Sequence, residues 1–534
     1  MSTSSERSAQ PRVVGVEAPF ATPAAGSRRH GDGRWPAPVE WALVAAMTIL
    51  PWLPWSVWLA AVVVVGCLVP GTHALLIWSA YPVAAIVRGR SVPGRAVSAA
   101  EEPDLHALVC EVANRLGISG PVLVHVVPTP EAMVCQPPRS WRSPHRRSGH
   151  ALVLGLPLLE RLTTGQLAAL VAHELAHVSN DGSTFADRRG GRLCRARDGL
   201  VASIGRPWRP AWSVCGPLLR ATQPWSWRVE LDADATAASV AGTRAVREVL
   251  AVWRLLDSVF GSYVPEWVDV LAKSHTYPVD LYLAVAAVLT DPIALRRVES
   301  VAEVEDLLAA AVVPAGLSGH PPTPARIATL ASSSLPAEPP SPLSTVPEPN
   351  RPLTLYNGTT LRAWASRARS GAKGRRRREP AEARVLDQPP ERFDPPLDGL
   401  RRQLAHALRA MSARLPAAQG GSAESEPLAR LDTALGTISD GHWPELAARI
   451  ERSLRRRVPG PSRPAVARAV VAGFLGQLVA AELRAAGWPR ASRWCATVVL
   501  DPAGEAFSAV DAVTEALERA DATDLRALLA ASCP

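Results

Sequence analysis

The chain has 534 residues, 47% of them hydrophobic and 20% charged, with a formal net charge of +9. At roughly 100–200 residues per domain this is enough for two or three folded units with real cores. The basic residues are scattered and nearly all arginine, no nucleic-acid-binding motif accompanies them, and nucleic acid is not an expected partner. The seven cysteines (Cys67, Cys110, Cys135, Cys194, Cys215, Cys495, Cys533) are odd in number, far apart and without a C-x-x-C pair. That excludes a disulfide framework and a cysteine-ligated zinc site, and it suits a reducing compartment.

Residues 1–37 are rich in Ser, Pro, Gly and Arg without apolar periodicity and read as a disordered tail. From Trp41 to Val87 there is no Asp, Glu, Lys or Arg. A span needs about 20 apolar residues, so residues 38–90 can hold a transmembrane hairpin, with "LVPGTH" (68–73) as its turn. One span followed by a buried apolar segment is the alternative. A cleaved signal peptide would start earlier and end in a small-residue site. Arg28, Arg29 and Arg34 before the stretch and Arg88, Arg90 and Arg95 after it place both ends in the cytoplasm. The expected location is therefore the cell membrane, multi-pass, with the lipid bilayer as a partner.

Residues 96–333 read as one α+β unit, mostly helical with a small sheet. "PDLHALVCEVANRLGI" (103–118) has the apolar spacing of an amphipathic helix, and "VLVHVV" (122–127) and "HALVLG" (150–155) read as strands. "QPPRSWRSPHRRSG" between them is loop or an open hairpin connection. Thr163 and Gln166 fit a capping box for a helix that runs through His177 and stops at Asn180-Asp181-Gly182. "WSWRVELDADATAASVAG" (225–242) reads as the start of an Ala-rich helix. Residues 334–397 read as a Pro/Arg-rich linker, whose Arg375–Arg378 run is a solvated cluster or an inner-leaflet contact. Residues 398–534 have helical periodicity and no chemical motif.

The chemistry lies in "AHELAHVSND" (172–181). Residues i and i+4 share a helix face, so His173 and His177 can point both imidazoles at one ion. Zinc takes histidine nitrogens at about 2.0–2.1 Å, and a catalytic site adds a third protein ligand and a water. Zinc brings the pKa of that water to about 7, and Glu174 beside the first ligand is placed to move its proton. Glu230 is the candidate third ligand, with Asp234 one turn on to orient a histidine or steady the reacting carbonyl. The alternative is that Glu230, Asp232 and Asp234 simply favour the positive end of a helix.

Taken together, these motifs resemble the membrane-bound zinc endopeptidases of the HtpX and CAAX prenyl protease type, a gluzincin family. "LTTGQLAALVAHELAHVSND" resembles their active-site helix, "ELDAD" their E-x-x-A-D motif, and "GHPPTPARIATL" (319–330) their closing segment. The resemblance implies a zincin-type fold with one Zn²⁺ per chain held by His173, His177 and Glu230. It implies Glu174 as general base and acid, Asp234 as support or proton donor, and His320 and Arg326 near the cleft or bracing it. It makes "HALVLG" the edge to which a substrate peptide adds as a strand. The expected activity is cleavage of membrane or misfolded proteins on the cytoplasmic side. Trp227 departs from the family pattern, in which Arg usually stands three residues before the third ligand. "EAMVCQPP" stands where relatives usually have an Asn-Ala stretch. The long C-terminal region also keeps a non-catalytic membrane scaffold as an alternative. CAAX-type prenyl protein processing would need more spans than residues 178–229 offer.

Overall fold

Alternating apolar residues build a small mixed sheet, and amphipathic helices cover one of its faces. The computed structural model describes residues 37–50, 92–135, 149–179, 209–312, 319–344, 349–369, 381–412, 427–451 and 463–532, with isolated residues within 60–64 and 193–200. A first helix, α1 (Ala37–Ile49), precedes the sheet. The strands are β1 (Arg95–Val97), β2 (Val122–Val127), β3 (Ala132–Cys135) and β4 (His150–Gly155), in the order β1-β2-β4-β3. β2 and β4 are parallel; the other pairs are antiparallel. Val124 and Val126 pair with Leu152 and Leu154, and all four are at most 1% exposed. They face α2 (Pro103–Arg115), whose Leu105, Leu108, Val109 and Val112 form one buried stripe. After the short α3 (Leu156–Arg161), helix α4 (Thr164–Ser179) adds Leu167, Leu170, Val171 and Leu175 to the same core.

This order corrects one expectation: "HALVLG" is an interior strand flanked by β2 and β3, and β3 is the outer strand on that side. The four-residue "AMVC" run is too short to announce itself as a strand, yet it pairs with β4 from Ala132↔Leu154 to Cys135↔Ala151.

Next come α5 (Arg209–Ala241), α6 (Thr243–Ser262), α7 (Val264–Lys273), β5 (Thr276–Pro278), α8 (Leu281–Thr290), α9 (Pro292–Val312) and α10 (Thr323–Ala331). The helix expected to start near 225 therefore begins at Arg209 and carries Pro217 and Pro224 inside it. Met47 of α1 is buried against Leu193, Leu200, Cys215 and Leu219, so α1 packs on the first half of α5. The rest of the expected transmembrane hairpin lies outside the described residues.

The stretch 334–397 is no free linker where it is described. It holds α11 (Gly358–Arg369) and β6 (Ala381–Ala383), which pairs in parallel with β5, and it contributes Leu361, Ala365 and Val385 to the first core. The Arg375–Arg378 run lies outside the described residues. Two buried carboxylates pin this segment: Glu102 accepts Tyr356 N and Asn357 N, and Asp280 accepts Val385 N and Leu386 N. Its carbonyls also cap helices. Thr164 N and Gly165 N of α4 donate to Arg351 O and Pro349 O, and Thr243 N and Arg244 N of α6 donate to Pro336 O and Ala337 O. Gly242, at φ +85°, is required at this crossing, because a Cβ there would lie 2.3 Å from Ala337 O.

A second core is built by α12 (Leu397–Ser412), α13 (Pro427–Ser439), α14 (Trp443–Ile450), α15 (Arg463–Ala485), α16 (Ala509–Arg519) and α17 (Thr523–Ser532). The region expected to be helical also contains an antiparallel sheet of β7 (Arg490–Ser492), β8 (Cys495–Leu500) and β9 (Ala506–Ser508). Among the described residues α15 alone is long and apolar enough to cross a bilayer, but 67% of its apolar window is buried, as befits the central helix of this core. The second core docks on the first through Trp494, 5.5 Å from Trp267, and through Arg493, which donates to Leu386 O and Gln388 O. Arg484 and Arg490 both pair with Asp394 at this joint.

Two carboxylates, one in the strap contact and one at the joint, give predictions. Glu102→Ala removes two charge-assisted bonds to the 356–357 backbone and is expected to lower unfolding free energy by about 3 kcal/mol in urea. An unchanged midpoint would show that the strap is not held there. At the joint, burial and the neighbouring Asp394 push Glu266 up to about 7. Its ionisation in the folded state is therefore unfavourable, and stability declines as pH rises from the ordinary glutamate range through about 7. Glu266→Gln should raise Tm at pH 8 and leave it unchanged at pH 4; equal shifts at both values would refute the assignment.

Candidate metal centre

The helix that carries the first two ligands is fixed at its N-terminus from two sides. Gln166 Oε1 accepts Thr163 N and Thr163 Oγ1 accepts Gln166 N, the reciprocal capping box expected from the sequence. Arg351 O and Pro349 O take the next two amides. α4 then runs along α5 in the antiparallel sense, since moving from His173 to His177 shifts the contacts from Asp234 and Glu230 to Glu230 alone.

His173, His177 and Glu230 come together, with one donor atom from each lying within 4.8 Å of the others. His173 Nε2 is 3.5 Å from Glu230 Oε2, and His177 Nε2 is 3.6 Å from Glu230 Oε1. Ligands about 2.0–2.2 Å from a tetrahedral zinc stand roughly 3.3–3.6 Å apart, so the donor set fits that ion in both chemistry and spacing. Glu230 sits 21 residues into α5, which removes the reading that its charge serves a helix N-terminus.

The surrounding groups fix the ligands. Asp234 Oδ1 lies 3.0 Å from His173 Nδ1, which directs Nε2 at the metal position. Arg326 of α10 grips Asp234 with both arms of its guanidinium, Nε to Oδ2 at 2.8 Å and Nη2 to Oδ1 at 2.6 Å. His320 Nδ1 is 2.8 Å from Glu230 Oε2, and Ser226 Oγ donates to Gly319 O at 2.6 Å. Ser226, Glu230 and Asp234, each four residues apart, are thus laced to the 319–326 segment.

The charges follow from this packing. Burial raises Glu230, but His173, His320 and His177 outweigh it and hold the carboxyl well below the usual range. Burial also raises Asp234, and Arg326 and His173 bring it below its ordinary value. Gripped on both oxygens by Arg326 and close to His173 Nδ1, Asp234 is placed to position that ring. Burial lowers His177, which favours the neutral, ligating form. Burial lowers His173 too, yet Asp234 and Glu230 outweigh it and raise the ring to about 9. Glu174 is 6% exposed and its charge acts on His173, His177 and Arg326. It also acts on Cys135, the last residue of β3, whose thiol is pushed up by burial and by that carboxylate. Glu174 therefore lies near both the ligand pair and the outer strand.

The pairing of Arg326 with Asp234 and the place of β3 were not readable from sequence. The partners of the first are 92 residues apart, and the second is four residues long.

Two histidines one turn apart, a glutamate beside the first and a carboxylate from a second helix make the donor set of a metallopeptidase. Residues 99–334 match the sequence model of Peptidase family M48, a family of metallopeptidases. A protein described as "Protease HtpX homolog" from Moorella thermoacetica is 34% identical over 94 residues. That match covers 18% of this chain and 29% of the relative's length. No solved structure matches the chain.

Removing the partner of a buried carboxylate costs about 3–5 kcal/mol. Arg326→Leu should therefore lower stability by about that amount and weaken zinc uptake, while Asp234→Asn in the same chain should restore part of the stability. Denaturant unfolding and metal analysis of the three proteins check this; an Arg326→Leu protein as stable as wild type would show that the pair holds nothing.

Proposed function

We propose that the chain is a membrane-anchored zinc endopeptidase that cuts membrane or misfolded proteins on the cytoplasmic side. The observation that carries the reading is the convergence of His173, His177 and Glu230 on one position with Glu174 beside it. The membrane anchor is read from the uncharged stretch between Trp41 and Val87 and the cytoplasmic side from the arginines around it; the likeness to a protease homologue supports the peptidase part of the reading.

The three ligands would hold one zinc, which supplies a Lewis acid and an acidified water. Glu174 takes the water's proton on a carboxylate oxygen and hands it to the leaving amine. Asp234 and Arg326 keep His173 turned with Nε2 inward throughout. The outer strand β3, whose other edge pairs with no strand among the described residues, would take an extended substrate that lays the scissile bond over Glu174.

Cleavage of casein and zinc content, measured for wild type, Glu174→Gln and Glu230→Gln, test the reading. Glu174→Gln should keep its zinc and lose roughly 10²–10⁴ in kcat. Glu230→Gln should lose the metal. A wild-type protein that holds one zinc and is no more active than Glu174→Gln would favour a non-catalytic scaffold instead.

A further inference from the structure

The C-terminal domain carries a cleft that the peptidase chemistry does not use. On α15, Gln477, Ala481, Arg484 and Ala485 recur at i, i+4, i+7 and i+8 and so share one face. The chain before and at the start of α12 stands opposite that face, and Trp488 and the start of β7 complete the lining of a cavity of about 570 Å³. Sites for small ligands run from about 300 to 1,000 Å³. Leu397, Leu400, Ala481, Ala485 and Trp488 give the cleft apolar walls. Trp488 is held edge-on against Phe507, with ring centroids 5.9 Å apart, so that wall is fixed in place.

One end of the cleft is short of negative charge. Arg484 Nη1 and Arg490 Nη2 both donate to a single oxygen, Asp394 Oδ2. These side chains are 22%, 11% and 18% exposed in turn, so two guanidiniums meet one carboxylate largely out of water. Glu391 comes no closer to Arg490 Nε than 3.7 Å and is 68% exposed, so solvent screens it. Glu266 across the joint is pushed up to about 7 and carries only part of a charge near neutral pH. A guanidinium binds a carboxylate best through two parallel N–H groups, and each of these arginines gives one to Asp394. A second carboxylate, brought by a ligand with an apolar body, matches both the donors and the walls.

Gln477 narrows the ligand further. It lines the same cleft seven residues before Arg484, about 10 Å away along the helix axis. Its amide both donates and accepts, as a peptide group does, and a hydrocarbon tail would leave it unmatched. An extended chain advances about 3.3 Å per residue. A terminal carboxylate at the arginines therefore brings the main chain about three residues back beside Gln477.

We propose that this cleft binds the C-terminal end of an extended, apolar peptide. The terminal carboxylate sits on Arg484 and Arg490, the last side chains lie against Leu397, Leu400 and Trp488, and a main-chain amide pairs with Gln477. The site belongs to the second core and does not rest on the endopeptidase reading.

The test uses the full chain with Glu174→Gln, so that the probe stays uncut, and fluorescein-labelled Gly-Gly-Ala-Leu-Ala-Leu followed by anisotropy. The free acid should bind, and the same peptide with a C-terminal amide should bind roughly tenfold more weakly or worse. This comparison needs no change to the cleft. Ala485 is exposed, and Ala485→Trp fills the cleft from its rim; it should abolish binding and leave Tm unchanged. Dodecanoate should displace the probe far less well than the unlabelled peptide does. Equal binding of acid and amide overturns the carboxylate pairing, and binding that survives Ala485→Trp overturns the cleft. Displacement by dodecanoate as effective as by peptide overturns the peptide in favour of a fatty acid. A free acid that does not bind overturns the whole proposal, while casein cleavage and zinc content are untouched by any of these results.

Discussion

Two carboxylates buried one turn apart on a single helix are the constraint around which this fold is arranged. Glu230 and Asp234 cannot both stay ionised inside the protein unless positive or proton-donating groups meet them. Arg326 is committed wholly to Asp234, and that commitment decides the rest. It leaves Glu230 to His173, His177 and His320, groups that can give up their protons in favour of a metal. Had the guanidinium reached Glu230 instead, the third ligand would be occupied by a permanent cation. The choice is made by geometry: α10 starts after Pro321 and Pro322, and its fourth residue faces the second carboxylate of α5.

What the sequence reveals of this centre tracks how local each relation is. His173, Glu174 and His177 lie within one helical turn, so their spacing alone announces the chemistry. Glu230 was readable as a candidate, but the competing reading, a charge at a helix N-terminus, falls only once α5 is seen to begin at Arg209. Pro217 and Pro224 hide that beginning, because proline inside a helix ordinarily marks a break. Strands of three or four residues such as β1, β3 and β7 carry too little periodicity to be recognised, and they exist because longer neighbours offer them an edge.

Composition misleads most in the stretch after residue 334, and the reason is physical. Pro, Ser and Glu without periodicity read as a chain that cannot build a core. Here the segment builds little core in its first half; it supplies acceptors. The start of a helix presents amides without partners, and proline-rich backbone presents carbonyls with few amides of its own to compete for them. Pro349 O and Arg351 O meet α4, Pro336 O and Ala337 O meet α6, and Ser341 O and Pro342 O meet Arg115 of α2. The same composition that forbids a sheet or helix of its own suits a strap across the ends of three other helices.

This arrangement changes where the catalytic unit ends. The family match stops at residue 334, yet the first two backbone amides of the helix that carries His173 and His177 are satisfied fifteen residues and more beyond that point. The core beneath is likewise completed by Leu361, Ala365 and Val385. Further along the chain lies the joint where Arg493 donates to the carbonyls of Val385, Leu386 and Gln388 and Trp494 stacks against Trp267. One continuous segment thus caps the ligand helix at one end and is gripped by the C-terminal domain at the other.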